Sequence, residues 1–249
     1  MELELRGRNA IITGGSRGIG RAIAITFANA GANVSICARG EEALRDTESE
    51  IRRGGHKVHA MTCDLANPEP VSKYVTAAAE ALGGIDVIVN NASGFGARDD
   101  EEAWSKSIDV DLLASVRASR AALPYLESSH GSIIYISSIS GLRHSPRNPA
   151  YGAVKAALIQ YTLTQAALYA SKHVRVNAIA PGSIEFPGGS WERRKTTDAK
   201  LYNATLSRIG AGRMGTPQEI ANVALFLASS AASWVTGQTI AVDGGQMLG

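Results

Sequence analysis

This 249-residue sequence has few of the features that identify a function directly. Its two cysteines, Cys37 and Cys63, both end apolar runs, which favours buried thiols over a disulfide or a metal pair. No apolar run reaches about 18 residues, the length that a membrane-spanning helix needs. The first residues, MELELRGR, do not resemble a secretory signal, so we expect a reducing, cytoplasmic environment.

A charge of strongly one sign is also missing. The 25 Lys and Arg residues against 23 Asp and Glu residues give a formal net charge of +2. That balance supports neither a nucleic-acid partner nor a membrane surface, and we expect a small-molecule substrate. We find no linker, low-complexity tract or repeat, so residues 1–249 are interpreted as one domain.

The sequence does contain seven short, β-branched apolar runs, at residues 9–13, 33–37, 57–61, 85–89, 131–137, 174–180 and 238–242. Most are apolar on both faces, and they alternate with helical patterns. This combination is typical of a parallel sheet covered by helices on both sides. The pattern therefore predicts an α/β fold with a doubly wound parallel sheet.

Two segments depart from this alternation. Residues 186–207 are long, charged and led by Gly and Pro, which is typical of a lid over a site or of a solvated surface excursion. A predicted helix near residues 152–171 carries no charge from Ala156 to Ser171. Such a helix lacks a solvated face, so it lies in the core or is covered by another subunit. We favour a subunit interface.

The first strand is followed by TGGSRGIG, with glycines at positions 14, 18 and 20. Glycines in a strand–turn–helix setting allow a tight turn and a close approach of the backbone to a phosphate at the helix N-terminus. The alternative is a glycine-rich turn without a ligand. At the end of the second strand, Arg39 stands where an acid would bind the ribose of NAD, and Arg17 lies in the glycine loop. Two guanidinium groups favour a 2′-phosphate, hence NADP, although Glu41 or Glu42 could still reach a ribose.

A tyrosine and a lysine, Tyr151 and Lys155, lie one helical turn apart. An adjacent ammonium lowers the pKa of a tyrosine from near 10, which makes a general acid or base. Ser138 follows the predicted fifth strand, at the edge where parallel sheets bind ligands.

One carboxylate, that of Asp111, falls on a helix face that should be packed against the rest of the protein. In SIDVDLLAS, residues 107–115, helical spacing places Asp111 beside Ile108 and Leu112. An unpaired buried charge is costly, so Asp111 needs a partner or a function.

Taken together, these motifs resemble the classical short-chain dehydrogenase/reductase family, and its 3-oxoacyl-(acyl-carrier-protein) reductase-like members, over nearly the whole chain. The matching pieces are TGGSRGIG, CDL at 63–65, NNAS at 90–93, Ser138 with Tyr151 and Lys155, RVNAIAPG at 175–182 and VDGG at 242–245. The resemblance implies a seven-stranded Rossmann-like sheet of order 3-2-1-4-5-6-7, a homotetramer, and hydride transfer between NADP(H) and a carbonyl or alcohol. It implies no metal.

By position, Tyr151 would protonate the carbonyl oxygen, Ser138 would orient it, and Lys155 would bind the nicotinamide ribose. Asp64 would contact adenine, and the Ile184 backbone would meet the carboxamide. The complete implied cofactor set is Gly14, Ser16, Arg17, Gly18, Ile19, Gly20, Arg39, Asp64, Leu65, Asn90, Ala92, Tyr151, Lys155, Pro181, Gly182 and Ile184.

Three residues depart from the family pattern: Ser93 replaces a glycine, Phe186 a threonine, and Asp111 the asparagine of the fourth catalytic position. A carboxylate keeps the side-chain shape but loses the amide donors and adds charge. We expect the proton relay to persist with a changed pH profile, since Asp111 would stabilise the Lys155 ammonium and partly offset its effect on Tyr151.

The substrate is poorly specified. Residues that the resemblance places around the cleft could accept an acidic or 3-oxoacyl substrate, or could be ordinary lid residues: Phe95, Arg98, His144, Arg147, Trp191 and the basic run 193–195. A general ketone or sugar reductase is the nearest alternative. An NAD-linked alcohol dehydrogenase and a catalytically weak NADP-binding sensor or scaffold are two further interpretations.

Overall fold

Seven parallel strands form one sheet in the order β3-β2-β1-β4-β5-β6-β7, as predicted. The structure is a computed structural model and describes residues 3–249. The strands are β1 Asn9–Thr13, β2 Asn33–Ala38, β3 Val58–Thr62, β4 Val87–Asn90, β5 Ser132–Ile136, β6 Arg175–Pro181 and β7 Thr239–Val242. Their bounds differ from the predicted ones by one or two residues, the uncertainty expected at element ends.

The principal helices are α1 Gly18–Asn29, α2 Glu41–Arg53, α3 Pro68–Leu82, α4 Glu101–Lys106, α5 Ala114–Ser129, α6 Pro149–Tyr169, α7 Ser190–Thr197, α8 Ala199–Leu206 and α9 Pro217–Ala228. Because strand side chains alternate, Ile12 belongs to the core cluster on the face covered by α1, α2 and α9, whereas Ile11 belongs to the cluster on the face covered by α3, α5 and α6. The sheet is therefore doubly wound. Its order reverses beside β1, so the loops after β1 and β4 diverge and leave a crevice at the carboxyl edge.

Between α4 and α5 the chain forms a π-helix, Ser107–Leu113, a widened turn that is often found at functional sites. Ser107 and Asp111 are both buried there, whereas Ile108 is 37% exposed. The prediction that Ile108 and Asp111 share a packed face is therefore wrong. The regular spacing of an α-helix does not hold through a π-turn, so Asp111 is buried together with Ser107, four positions before it, and with Ser115, four positions after it.

Two other predictions concern buried thiols and the uncharged helix. Cys37 and Cys63 are buried and free, as expected. On α6, Leu163 and Leu168 are 48% and 61% exposed, so the helix presents an apolar outer face. Within residues 3–249, no helix has both the length and the apolar character to cross a membrane.

Candidate active site

Tyr151 and Lys155 lie in the first two turns of α6, next to the carboxyl end of β5. The buried Lys155 Nζ donates a hydrogen bond to the carbonyl of Ile136 at 2.9 Å, and the Ser137 hydroxyl donates one to the Lys155 carbonyl at 2.8 Å. A Cβ on Gly141 would come within 2.6 Å of the Lys155 carbonyl carbon, so only glycine permits this close packing. Lys155 is therefore fixed from both its backbone and its side-chain end.

Ser138 lies two residues beyond the end of β5 and is buried beside the same helix. Its hydroxyl accepts a hydrogen bond from the Ser140 amide at 3.1 Å and caps a short 3₁₀ turn, Ile139–Gly141. The cap fixes the Ser138 side chain at the carboxyl edge of the sheet, where the sequence predicted it.

The pKa of Tyr151 is raised, chiefly by burial. The Lys155 ammonium lowers it, the Asp111 carboxylate raises it, and a hydrogen bond with Ser138 lowers it. Lys155 Nζ lies 5.4 Å from the centroid of the Tyr151 ring. At neutral pH, Tyr151 is accordingly a protonated hydroxyl with a cation nearby, which is the state that a proton donor requires.

Asp111 supplies the counter-charge. It is completely buried, and its Oδ1 lies 3.0 Å from Lys155 Nζ. Burial lowers the pKa of Lys155, but the charges of Asp111 and Tyr151 more than offset this, and the pKa is raised overall. Lys155 therefore stays an ammonium. The structure brings Ser138, Tyr151, Lys155 and Asp111 together, as the sequence predicted.

The glycine loop joins β1 to α1 on the other side of the crevice. Gly14 and Gly18 have φ values of +69° and +54°, which glycine adopts without strain. A Cβ on Gly20 would come within 2.2 Å of the Gly14 carbonyl oxygen, so this contact also excludes a side chain. Arg17 precedes α1 and makes no side-chain cap, which leaves the first amides of the helix free to bind an anion. This cradle fits the diphosphate of a dinucleotide.

Asn91 braces the glycine loop, a role that the sequence reasoning missed. Its side-chain amide donates to the carbonyls of Thr13 and Gly14 at 2.9 and 3.1 Å, and its backbone amide donates to the Thr13 hydroxyl at 2.9 Å. Asn90, which was expected in the cleft, instead points its amide at Ser119 of α5, 2.9 Å away. Its buried Oδ1 has no hydrogen-bond partner among residues 3–249. The NNAS motif signalled this segment but not which asparagine supports the loop.

Arg39 and Asp64, which the sequence assigns to the adenosine half of a cofactor, follow β2 and β3, and both are exposed. Asp64 accepts hydrogen bonds from the Ala66 amide and the Asn67 side chain, which orient its carboxylate. Leu65 beside it is buried. Arg39 makes no ion pair within the described part of the chain, and neither does Arg17. Two cations thus remain available at this end of the crevice.

The turn after β6 carries the residues that the family resemblance assigns to the nicotinamide. A single β-bridge pairs Ile184 with Gly215. Its two hydrogen bonds run from the Gly215 amide to the Ser183 carbonyl and from the Glu185 amide to the Gly215 carbonyl. The N–H and C=O of Ile184 itself have no backbone partner in residues 3–249, so they are free for a carboxamide. Pro181 ends β6, and Gly182 bonds to Val242 of β7, which holds this turn against the sheet.

Phe186, which replaces a polar residue of the family pattern, packs its ring on the glycine loop. A Cβ on Gly18 would come within 2.6 Å of the ring. The ring therefore covers part of the loop and joins residues 186–207 to it. Glu185, just before it, accepts a hydrogen bond from Tyr202 of α8 at 2.8 Å and pairs with Lys195 of α7.

The basic residues that could have recognised an acidic substrate are mostly engaged elsewhere. Arg98 pairs with Asp100 at 2.7 Å, Arg193 donates to the Gly188 carbonyl at 2.8 Å, and Arg194 stacks on Trp191. His144 and Arg147 are exposed. These contacts favour the interpretation that residues 193–195 are ordinary lid residues.

Phe95 is different, because its ring meets the ring of Tyr151 edge to face at a centroid distance of 5.0 Å. Its φ is +47°, a left-handed conformation that is uncommon outside glycine. Two residues before it, Ser93 replaces a glycine of the family pattern, and the following Gly94 is where the strain of that replacement would be expected. The left-handed residue is Phe95, and Gly94 serves close packing instead.

Comparisons with known proteins agree with this architecture. A family model described as Enoyl-(Acyl carrier protein) reductase matches residues 14–247. The 3-oxoacyl-(acyl-carrier-protein) reductase FabG of Chlamydia muridarum is 41% identical over 242 residues, covering 95% of this chain and 96% of the relative.

Two solved structures are similar throughout. L-Sorbose reductase from Gluconobacter frateurii, complexed with NADPH and L-sorbose, has a TM-score of 0.91 and 31% identity, with 99% of each chain covered. A 7α-hydroxysteroid dehydrogenase, complexed with NADH and 7-oxo glycochenodeoxycholic acid, has a TM-score of 0.91 and 34% identity, covering 98% of this chain and 95% of that one.

Proposed function

The chain belongs to the short-chain dehydrogenase/reductase family and is an oxidoreductase acting on C=O and CH–OH groups, and we propose that it is an NADP(H)-linked reductase of a ketone or 3-oxoacyl substrate. The observation that supports this most directly is the arrangement of Ser138, Tyr151 and Lys155 around one point at the carboxyl end of β5. When bound, the nicotinamide supplies hydride to the carbonyl carbon.

Each of these residues then has a proposed role. Ser138 donates a hydrogen bond to the carbonyl oxygen and fixes its orientation. Tyr151 donates its proton to that oxygen, and the Lys155 ammonium stabilises the phenolate that this leaves. Asp111 keeps Lys155 charged through the 3.0 Å ion pair. Lys155 is also the proposed partner of the nicotinamide ribose.

We propose NADP over NAD because Arg17 and Arg39 are free and exposed where a 2′-phosphate would lie. Of the two acids that could serve a ribose instead, Glu41 faces Arg45 at 3.6 Å, and Glu42 is exposed. The similar structures include one with NADPH and one with NADH, so the choice is made on these residues. The remaining proposed contacts are Gly14, Ser16, Gly18, Ile19, Gly20, Asp64, Leu65, Asn90, Ala92, Tyr151, Pro181, Gly182 and Ile184; the side-chain amide of Asn90 itself faces Ser119.

Residues 186–207 are the proposed substrate lid of this single domain. Two short helices, α7 and α8, follow the β6 turn and are joined to it by the contacts of Glu185. The exposed leucines of α6 support a homo-oligomer, with a tetramer as the proposed state, because a second copy would bury that apolar face.

The test is a fluorescence titration of the protein with NADPH and NADH, followed by an assay of ketones, sugars and a 3-oxoacyl thioester. We expect tighter binding of NADPH and turnover of at least one carbonyl class. Equal or tighter binding of NADH would support the NAD-linked alcohol dehydrogenase. Tight NADPH binding without turnover of any substrate would support the sensor or scaffold.

A further inference from the structure

The two oxygens of the Asp111 carboxylate meet different groups: Oδ1 meets an ammonium in an ion pair without hydrogen-bond geometry, and Oδ2 accepts a hydrogen bond from a backbone amide. Oδ1 lies 3.0 Å from the Lys155 ammonium, and Oδ2 accepts the backbone amide of Gly94 at 2.9 Å. An asparagine at this position has one acceptor oxygen and one NH₂ donor. In the same rotamer it would place a donor against either the Gly94 amide or the Lys155 ammonium. The acid is therefore not equivalent to an amide here, since only a carboxylate satisfies both contacts.

The Gly94 contact is one of two that fix the segment 93–96 on the π-helix. The Gly96 amide donates to the Ser107 hydroxyl at 3.2 Å, four residues before Asp111. A Cβ on Gly94 would come within 2.5 Å of the Lys106 carbonyl oxygen, and one on Gly96 within 1.9 Å of the Ala103 carbonyl oxygen. Both glycines therefore pack directly against the helix backbone. The Gly94 amide is bound by the buried side chain of Asp111, and the Gly96 amide by that of Ser107.

Phe95 lies between these two fixed glycines. Its left-handed φ of +47° costs free energy for a residue with a Cβ, and such a conformation persists when its neighbours are held in place. The conformation directs the ring to the edge-to-face contact with Tyr151 at 5.0 Å, where 41% of the residue is still exposed. An exposed aromatic ring therefore borders the proposed proton donor on the open side of the cleft.

We propose that Phe95 is a specificity-determining residue and that Asp111 positions it, through Gly94, as an apolar wall beside the reacting carbonyl. The wall favours ketones that carry an apolar ring next to the carbonyl, because such a ring buries the free face of Phe95. The hydroxyl groups of a hydroxylated chain at the same place would lose their hydrogen bonds to water, and the phenyl ring would not replace them. This inference rests on the proposed function, in which Tyr151 protonates the substrate.

The experiment compares kcat/KM for two ketones, 2-tetralone and dihydroxyacetone, with NADPH as the reductant. We expect the wild type to prefer 2-tetralone. Phe95→Ala should lower kcat/KM for 2-tetralone by about 10-fold or more, mainly through KM, because a large apolar contact is lost. For dihydroxyacetone the change should be only a few-fold, so the ratio of the two values falls.

Two further variants test the positioning role. Asp111→Asn should reduce the same ratio, and should not reduce it further when combined with Phe95→Ala, because both changes act on one contact. Ser107→Ala removes the second anchor of the segment and leaves the Lys155 ion pair untouched, so it keeps the inference testable if Asp111→Asn fails to fold. The matched control is Asp109→Asn, the same chemical change in the same π-helix, where the carboxylate accepts a hydrogen bond from Ser105 near the surface.

Several outcomes would overturn the inference. One is a wild type that prefers dihydroxyacetone, or that reduces other ketones but not 2-tetralone; in that case the proposed reductase function stands. Another is a ratio that stays unchanged in Phe95→Ala. If the falls in this ratio caused by Asp111→Asn and by Phe95→Ala add fully in the double variant, the positioning role of Asp111 is refuted. The specificity role of Phe95 is then unaffected. Failure to reduce any carbonyl compound would instead refute the proposed function.

Discussion

Lys155 and Asp111 form a buried ion pair, with the ammonium nitrogen 3.0 Å from the carboxylate oxygen. The two side chains come from α6 and from the π-helix before α5, and the residues lie more than forty positions apart in the sequence. The pair lies beside Tyr151, so it affects both the stability of the fold and the charge around the proposed proton donor.

Removal of the acid should destabilise the protein strongly. Asp111→Ala leaves the Lys155 ammonium buried without its counter-charge, which typically costs about 3–5 kcal/mol. The free energy of unfolding, measured by urea denaturation, should fall by roughly that amount. Asp109→Ala is the control and should cost under about 1 kcal/mol, as surface substitutions do. A similar loss in both variants would mean that the buried pair contributes no specific stability.

The pH dependence of reduction should change in Asp111→Asn. The Asp111 charge raises the pKa of Tyr151, so its removal lowers that pKa. Tyr151 must be protonated to donate, and activity is therefore lost as pH rises through its pKa. The alkaline limb of the kcat/KM profile should lie at lower pH in the variant than in the wild type. Profiles that superimpose would show that the Asp111 charge has no role in the proton relay.

Cofactor selectivity should depend on the arginine after β2. In Arg39→Ala, the dissociation constant for NADPH should rise by about 10-fold, the value of one charge-assisted hydrogen bond to phosphate, whereas that for NADH should change little. Fluorescence titration measures both constants. Arg53→Ala, an exposed arginine at the end of α2, serves as the control. Equal weakening of both cofactors would argue against a 2′-phosphate contact at Arg39.

The contact between Gly18 and Phe186 should make Gly18→Ala costly for two separate reasons. The left-handed φ of +54° disfavours a Cβ by about 1–2 kcal/mol, and the new methyl group would clash with the Phe186 ring at 2.6 Å. Thermal denaturation should show a lower Tm in Gly18→Ala. In the double variant with Phe186→Ala, the part of the Tm loss that is due to the clash should disappear and the part due to the backbone conformation should remain. The comparison is made after the effect of Phe186→Ala alone has been subtracted. No recovery in the double variant would show that the ring does not lie on the loop.

Local patterns were enough to predict the fold and the reacting trio. Strand spacing predicted the seven strands, the glycines at 14, 18 and 20 predicted the turn before α1, and the four-residue spacing placed Tyr151 beside Lys155. These features follow from backbone periodicity and from the conformational freedom of glycine, which neighbouring residues determine. The strand order came from the resemblance to a family.

Contacts between distant segments could be decided only by the tertiary structure. The sequence marked Asp111 as a buried acid and the family resemblance placed it near Lys155, but its second partner, the Gly94 amide, is evident only in the folded structure. No pattern in the sequence indicated that Asn91 braces the glycine loop. The π-turn, which breaks helical spacing, has no pattern of its own in the sequence. The sequence by itself thus determined which residues carry the chemistry, and the packing of α6 against the π-helix decided which atoms they meet.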